Sequence, residues 1–231
     1  MDHFIDIYRR HGDRYHQMIE PEDIDGNLLP ALEAVTPLAG CRLLDVGSGT
    51  GRLPLLLANR VSQLVCLDLH TGMLTEHSRQ RARRGGRWGL LQADMRQLPL
   101  PSAAFNVVTA GWALGHFVGW YKAEWQTEMR RVLTELERTA QPGGAIIIME
   151  TLSTGSLTPA PPTAGLARYY DWLENDWGYS RRQIPTDYQF ASVDEAVAKT
   201  EFFFGAELAA KVRVNGWARL PEWTGVWSKI V

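Results

Sequence analysis

Cysteine is scarce: the chain of 231 residues holds two, Cys41 and Cys66. Neither suggests a disulfide framework, and both read as small buried apolar residues in a reducing compartment. Long apolar runs are missing as well, and the longest fall far short of a bilayer-spanning helix. The amino terminus, Met1 to Asp6, lacks the basic-then-apolar pattern of a secretory signal. Charge of one sign is missing too: Lys and Arg total 24 against 26 Asp and Glu, so no global field draws the chain to nucleic acid or to an anionic membrane. These absences predict a cytoplasmic protein with no membrane partner and disfavour a nucleic-acid partner; a monomer or homodimer is expected. What remains is an ordinary soluble composition, 45% apolar and 22% charged, long enough for one large domain.

Patterning along the chain alternates strands with helices. The segment from about Phe4 to Leu38 reads as helical, with Phe4, Ile7, Tyr8 and Tyr15 on an aromatic-rich face. Cys41–Val46, Gln63–Asp68, Trp88–Gln92, Phe105–Ala110 and Ala145–Met149 read as strands. Leu64-Val65-Cys66-Leu67 is continuously apolar, as a parallel strand buried on both faces should be. Helices are expected over about Gly51–Asn59, over Thr71–Arg84 before Gly85-Gly86, and through Trp125, Met129, Val132, Leu133 and Leu136, which share one face. This rhythm is that of an open parallel α/β sheet. Beyond a Pro/Ser/Thr-rich loop at 153–163 comes a helix through Leu166 and Leu173, then an extended stretch over 179–190. Ser192-Val193-Asp194-Glu195 resembles a capping box that opens a helix broken near Gly205. Trp223 to Val231 reads as a last strand. The expected layout is one domain over 1–231: a helical cover at 1–38, a ligand-binding core at 39–152 and a substrate-side cover at 153–231.

The most informative stretch is Leu43-Leu44-Asp45-Val46-Gly47-Ser48-Gly49-Thr50-Gly51. It reads as a buried strand entering a glycine loop that opens a helix, a nucleotide or nucleoside site at the carboxyl end of a parallel strand. Dinucleotide sites use Gly-x-Gly-x-x-Gly, but Arg52 stands where that third glycine would be. No Gly-Lys-Ser/Thr follows, so this is not a P-loop. An acid beside a phosphate cradle would be repelled, whereas Asp45 suits a ligand carrying an ammonium group.

These nine residues resemble motif I of the class I S-adenosylmethionine-dependent methyltransferases. Val65-Cys66-Leu67-Asp68-Leu69 with Gly72-Met73-Leu74 is similar to the second family element, whose acid accepts from both ribose hydroxyls. Gln92-Ala93-Asp94-Met95 with Leu98-Pro99 is similar to the third, whose aspartate takes the adenine amine while the next residue packs on the ring. Phe105-Asn106-Val107-Val108 with Ala113-Leu114-Gly115-His116, and the Pro142-Gly143-Gly144 turn, match the fourth and fifth. The resemblance covers about residues 41–152 and is strongest to the type 11 and ubiquinone-biosynthesis-like branch. It implies a single-domain α/β, Rossmann-like fold: a mostly parallel seven-stranded sheet with helices on both faces and a helical amino-terminal cover. It implies S-adenosyl-L-methionine as cofactor and S-adenosyl-L-homocysteine as product. The implied cofactor set is Tyr15, Asp45, Gly47, Ser48, Gly49, Thr50, Gly51, Asp68, Leu69, Met73, Ala93, Asp94, Met95 and Gly111. The loop amides and helix start suit the cofactor carboxylate, flanked by Thr50 and Arg52.

The implied activity is in-line methyl transfer to an O-, N- or C-nucleophile of a small molecule. His116, after the fourth strand, is the candidate base or pocket residue. Trp112, His116, Tyr169 and Tyr170 are the expected substrate wall, and no metal is expected. Tyr8, His11 and His16 are further candidates to close over the cofactor, with Tyr15 preferred as the lid. The late aromatics, Trp172, Trp177, Tyr179, Tyr188, Trp217, Trp223 and Trp227 among them, either wall a flat or cationic acceptor or simply pack the cover. Arg79, Arg81, Arg83, Arg84 and Arg87 form one basic cluster, read as a solvated helix end. An RNA substrate and a non-catalytic cofactor-binding or sensor role stand as the alternatives.

Overall fold

A computed structural model describes residues 3–231. The chain opens with α1 (His3–Arg10), α2 (Gly12–Ile19) and α3 (Leu28–Glu33). The cover expected to be helical to Leu38 is thus three short helices. His11 leaves the helical region between the first two, and Pro21, Asp23 (φ 59°) and Gly26 (φ 71°) turn the chain before the third. Asp23 Oδ1 and Oδ2 accept from the Asn27 and Leu28 amides and so start α3.

The alternating region follows as β1 (Arg42–Val46), α4 (Arg52–Leu57), β2 (Gln63–Asp68), α5 (Thr71–Arg83), β3 (Gly89–Gln92) and β4 (Phe105–Gly111). Then come α6 (His116–Tyr121), a 3-10 turn at Lys122–Glu124, α7 (Trp125–Thr139) and β5 (Ala140–Thr154). The last part holds α8 (Ala164–Asn175), β6 (Ser180–Pro185), β7 (Tyr188–Gln189), α9 (Val193–Phe204), α10 (Ala206–Asn215), β8 (Arg219–Leu220) and β9 (Glu222–Ile230). Ser192 Oγ caps α9 from the Glu195 amide, while Glu195 reaches back to Ala191 N, one residue before the expected box partner. β5 runs far past the Ala145–Met149 centre because β9 pairs along almost its whole length.

Seven strands form one sheet in the order β3-β2-β1-β4-β5-β9-β6. β1 to β5 are parallel, and β9 runs antiparallel between β5 and β6. Successive side chains point to opposite faces, so neighbours on one strand enter different cores. Leu44, Val46, Val108, Ile146 and Ile148 pack beneath Met129, Val132, Leu133 and Leu136 of α7 and Leu173 of α8. Leu43, Cys66, Val107, Ile147 and Met149 pack against Leu28 and Leu32 of α3 and Leu53 and Leu57 of α4. The chain winds outward from β1 through β2 and β3, then returns to the other side of β1 as β4. That reversal opens a crevice at the carboxyl ends of β1 and β4. Among the described residues, no helix is long and apolar enough to cross a membrane.

Candidate functional site

A cavity of ≈ 370 Å³ fills this crevice. Twelve of the fourteen expected cofactor residues line it: Tyr15, Asp45, Gly47, Ser48, Gly49, Thr50, Asp68, Leu69, Met73, Asp94, Met95 and Gly111. Gly51 does not. It turns the loop into α4 at φ 100°, and a Cβ there would meet the His77 ring at 2.7 Å. Ala93 is also outside the lining and spends its amide on Asp68 O. Trp112 and His116 line the cavity, as do Arg52 and Tyr8.

Tyr169 and Tyr170 are a correction. Both are buried in the core under α8, outside the cavity, and the Tyr170 hydroxyl donates to Thr151 O at 2.7 Å. The ring of Tyr170 rests 4.5 Å from that of Trp227, while Trp125 meets Tyr169 at 6.1 Å and Trp172 at 5.3 Å. These late aromatics pack the cover onto the sheet. None of the five clustered arginines lines the cavity; Arg79 reaches Glu76, and Arg81 donates to Trp88 O.

The loop is held from below. Gly49 N donates to Asp68 Oδ2 at 2.9 Å and His70 N to Asp68 Oδ1 at 2.8 Å. Ser48 N donates to Leu67 O and Gly51 N to Ser48 O. Three amides of the loop are therefore spent inside the fold. Gly47 must be glycine: φ is +68°, and a Cβ would lie 2.6 Å from Ala113 Cβ. His16, expected as a lid residue, is instead buried under the loop, with Nδ1 3.0 Å from Thr50 Oγ1. His11 faces Asp6 at 3.8 Å and stands outside the lining.

Three carboxylates mark the cavity, each in a different electrostatic state. Burial pushes the Asp45 carboxyl up to about 7, against the pull of Thr109, whose hydroxyl donates to Oδ1 at 2.6 Å. Burial raises Asp68 as well, opposed by its two amide bonds. Asp94 is lowered by Arg96, whose Nε donates to Oδ1 at 3.0 Å while its Nη1 reaches Glu128 at 2.6 Å.

At the far end Arg52 pairs with Glu22 at 2.7 Å and lies 3.8 Å over the Trp112 ring. Trp112 holds a strained φ of 52° and ties its amide to Met149 O at 2.7 Å. Above the cavity, Tyr8 Oη and His116 Nε2 are 2.8 Å apart, and the His116 ring stacks on Trp120 at 4.8 Å. Glu150, on β5, accepts from the Gly115 amide at 2.8 Å and so fixes the start of α6. Burial pushes its carboxyl up to about 8.

Sequence patterning missed α6 and the lining residues it carries, Phe117, Trp120 and Tyr121. Their signal was available as the spacing of His116, Phe117, Trp120 and Tyr121 on one helical face, interrupted by Gly119. Ile5 and Arg9 line the cavity from α1 in the same manner, flanking Tyr8. Among the described residues, no cluster of three or more His, Cys, Asp or Glu side chains is placed to hold a metal ion.

Comparison with known proteins finds similar sequences and a similar fold. A family model described as a methyltransferase domain matches residues 44–148. The chain is 36% identical over 138 residues to a demethylmenaquinone methyltransferase of Clavibacter sepedonicus, covering 60% of this chain and 49% of that one. It is 34% identical over 119 residues to a malonyl-[acyl-carrier protein] O-methyltransferase of Serratia marcescens, covering 51% and 41%. The matched chain thus spans about half the length of these curated relatives. The fold resembles the crystal structure of a SAM-dependent methyltransferase from Aquifex aeolicus, with a TM-score of 0.58, 17% identity and 92% of each chain covered.

Proposed function

We propose that this chain is a class I S-adenosylmethionine-dependent methyltransferase acting on a small-molecule acceptor, a reading supported by the matched methyltransferase-domain model, the curated relatives and the fold. The observation that carries the reading is one cavity in which Asp45, Asp68 and Asp94 stand around a glycine loop at the carboxyl ends of three parallel strands. The residues fit the cofactor. The backbone at Gly47 sits so close to Ala113 that no side chain fits between them. Asp45 is a buried acid with a single hydroxyl partner, suited to an ammonium group. Asp68, pinned by two amides, suits a vicinal diol, and Asp94, held ionised by Arg96, suits an exocyclic amine. Met95, Leu69 and Phe117 supply apolar walls for a flat ring. When bound, S-adenosylmethionine supplies a methyl carbon already activated at a sulfonium, so the protein's task is alignment and water exclusion, worth on the order of 7–11 kcal/mol.

His116 and Tyr8 close the cavity from α6 and α1. The pair receives the proton of an acceptor that must lose one, a contribution of about 10²–10⁴-fold in rate. The imidazole stacks on Trp120 and meets the tilted ring of Phe4 at 5.4 Å, contacts that restrict its direction. Tyr15, packed edge-on against Tyr8 at 5.6 Å, covers the loop at Gly49.

The test is calorimetric titration with S-adenosylhomocysteine, followed by a methyl-transfer screen of small phenols, amines and carboxylates. Micromolar binding with turnover of at least one acceptor is expected, and His116→Ala lowers kcat by at least about 100-fold on an acceptor that loses a proton. Tight binding with no turnover on any acceptor identifies a binding or sensor protein, and turnover of RNA alone removes the small-molecule reading.

A further inference from the structure

Beneath the glycine loop, the buried side chains of Trp88 and His77 connect to Ser48 of the loop. Trp88 Nε1 lies 3.0 Å from His77 Nε2, and His77 Nδ1 lies 3.3 Å from Ser48 Oγ. An indole N–H can only donate. Nε2 of His77 is therefore the acceptor, and the ring proton sits on Nδ1. Nδ1–H faces both Ser48 Oγ and the Gly49 backbone carbonyl, so the Ser48 hydroxyl cannot give its own hydrogen to His77. His77 is completely buried, and desolvation together with Arg81 lowers it to about 4, which keeps the ring neutral at physiological pH.

Ser48 lines the cavity. The amides of Ser48, Gly49 and Gly51 are already engaged within the fold. With these three amides spent, the Ser48 hydroxyl is a further donor that the loop can offer an anionic group, beside the remaining amides at the start of α4. We propose that the Trp88–His77–Ser48 relay sets Ser48 as a hydroxyl donor into the cavity for a carboxylate of the bound ligand, with His77 as a positioning residue. The proposal rests on the cofactor reading above, whose methionyl end carries such a carboxylate.

The experiment compares two ligands that share the nucleoside: S-adenosylhomocysteine, with the amino-acid end, and 5′-methylthioadenosine, without it. Ser48→Ala and His77→Leu are expected to weaken the first by about tenfold or more, the loss of one charge-assisted hydrogen bond, and to leave the second within twofold. His77→Asn, whose amide can place an N–H near the Nδ1 position, restores most of the loss. In ¹⁵N-histidine-labelled protein, His77 shows the Nδ1-protonated pattern, which Trp88→Phe converts to a mixture of tautomers. Unchanged S-adenosylhomocysteine affinity in Ser48→Ala, equal losses for both ligands, or an Nε2-protonated ring overturns the relay. Wild-type protein that binds neither ligand overturns the cofactor reading itself, a result separable from the others.

Discussion

The loop side of the cavity is held by buried polar bonds, whereas the α1–α6 side is held mainly by rings. Below the loop, Asp68 binds two amides, Thr109 binds Asp45, and His16 and His77 face the hydroxyls of Thr50 and Ser48. Above it, His116 meets Phe4 at 5.4 Å, Tyr8 at 5.5 Å and Trp120 at 4.8 Å. Hydrogen bonds fix direction within narrow limits, while ring contacts keep much of their energy through small slides. The difference separates two tasks. Under the proposed function the loop side presents identical atoms to one invariant donor. Under the same proposal the ring side admits an acceptor and releases its methylated product, a task suited to contacts that reform cheaply.

The largest expected effect tests that rigidity directly. Gly47→Ala puts a Cβ 2.6 Å from Ala113 Cβ and 3.1 Å from Met95 Cε, on a backbone at φ +68°. The strain costs about 1–3 kcal/mol, read as a lower midpoint in urea unfolding. S-adenosylhomocysteine binding should fall by at least about 100-fold, because the loop must shift to relieve the clash. On the ring side, a Cβ added at Gly119 of α6 meets nothing within 4 Å. Gly119→Ala should therefore be neutral or stabilise by up to about 1 kcal/mol, with affinity unchanged. Equal tolerance at both positions would erase the contrast between the two sides.

The same contrast governs what the sequence made legible. The loop side is written in contiguous stretches: Asp45 and Gly47 to Gly51 follow one strand, Asp68 ends the next, and Asp94 follows a third. Period, glycine spacing and acid placement sufficed there, and the sheet came with them, because β1 to β5 read as short apolar runs, separated by helices except between β3 and β4. The ring side is assembled from α1 and α6, which are distant in sequence and short, so neither shows a long helical period. Tyr169 and Tyr170 misled for a related reason. Aromatic richness reports burial as readily as binding, and only tertiary packing tells that these two rings face Trp125 and Trp227. The His77 support was also hidden, since a lone histidine on a helix carries no signal until Trp88 and Ser48 are brought to it.

A medium effect concerns pH. A neutral Asp45 carboxyl cannot pair with an ammonium group, and its titration lies at about 7 in the ligand-free protein. Affinity for S-adenosylhomocysteine should thus rise as pH increases toward 7, by up to about tenfold per unit, and flatten above it. 5′-Methylthioadenosine lacks the ammonium group, so the difference between the two curves isolates Asp45 from Asp68. Thr109→Val removes the hydroxyl that holds Asp45 down and should move the curve to higher pH. For stability the sign is opposite: the folded value is raised, so the contribution is full below about 4 and lost as pH climbs through about 7. Parallel curves for both ligands would place the ammonium group elsewhere than Asp45.

The smallest effect decides where the ring side ends. Tyr170 donates to Thr151 O at 2.7 Å from within the α8 core and stands outside the cavity. Tyr170→Phe removes that bond and nothing from the lining. It should cost about 1 kcal/mol of stability, with kcat and KM for any acceptor unchanged. The ring keeps its contact with Trp227, so no cavity opens and the packing of α8 on β9 persists. A raised KM at unaltered stability would instead carry the acceptor wall through to α8, and aromatic residues on both flanks of β5 would then belong to binding. Under the packing observed, the adaptable surface is confined to α1 and α6, and acceptor specificity should respond to Ile5, Arg9 and Trp120 while remaining indifferent to Tyr170.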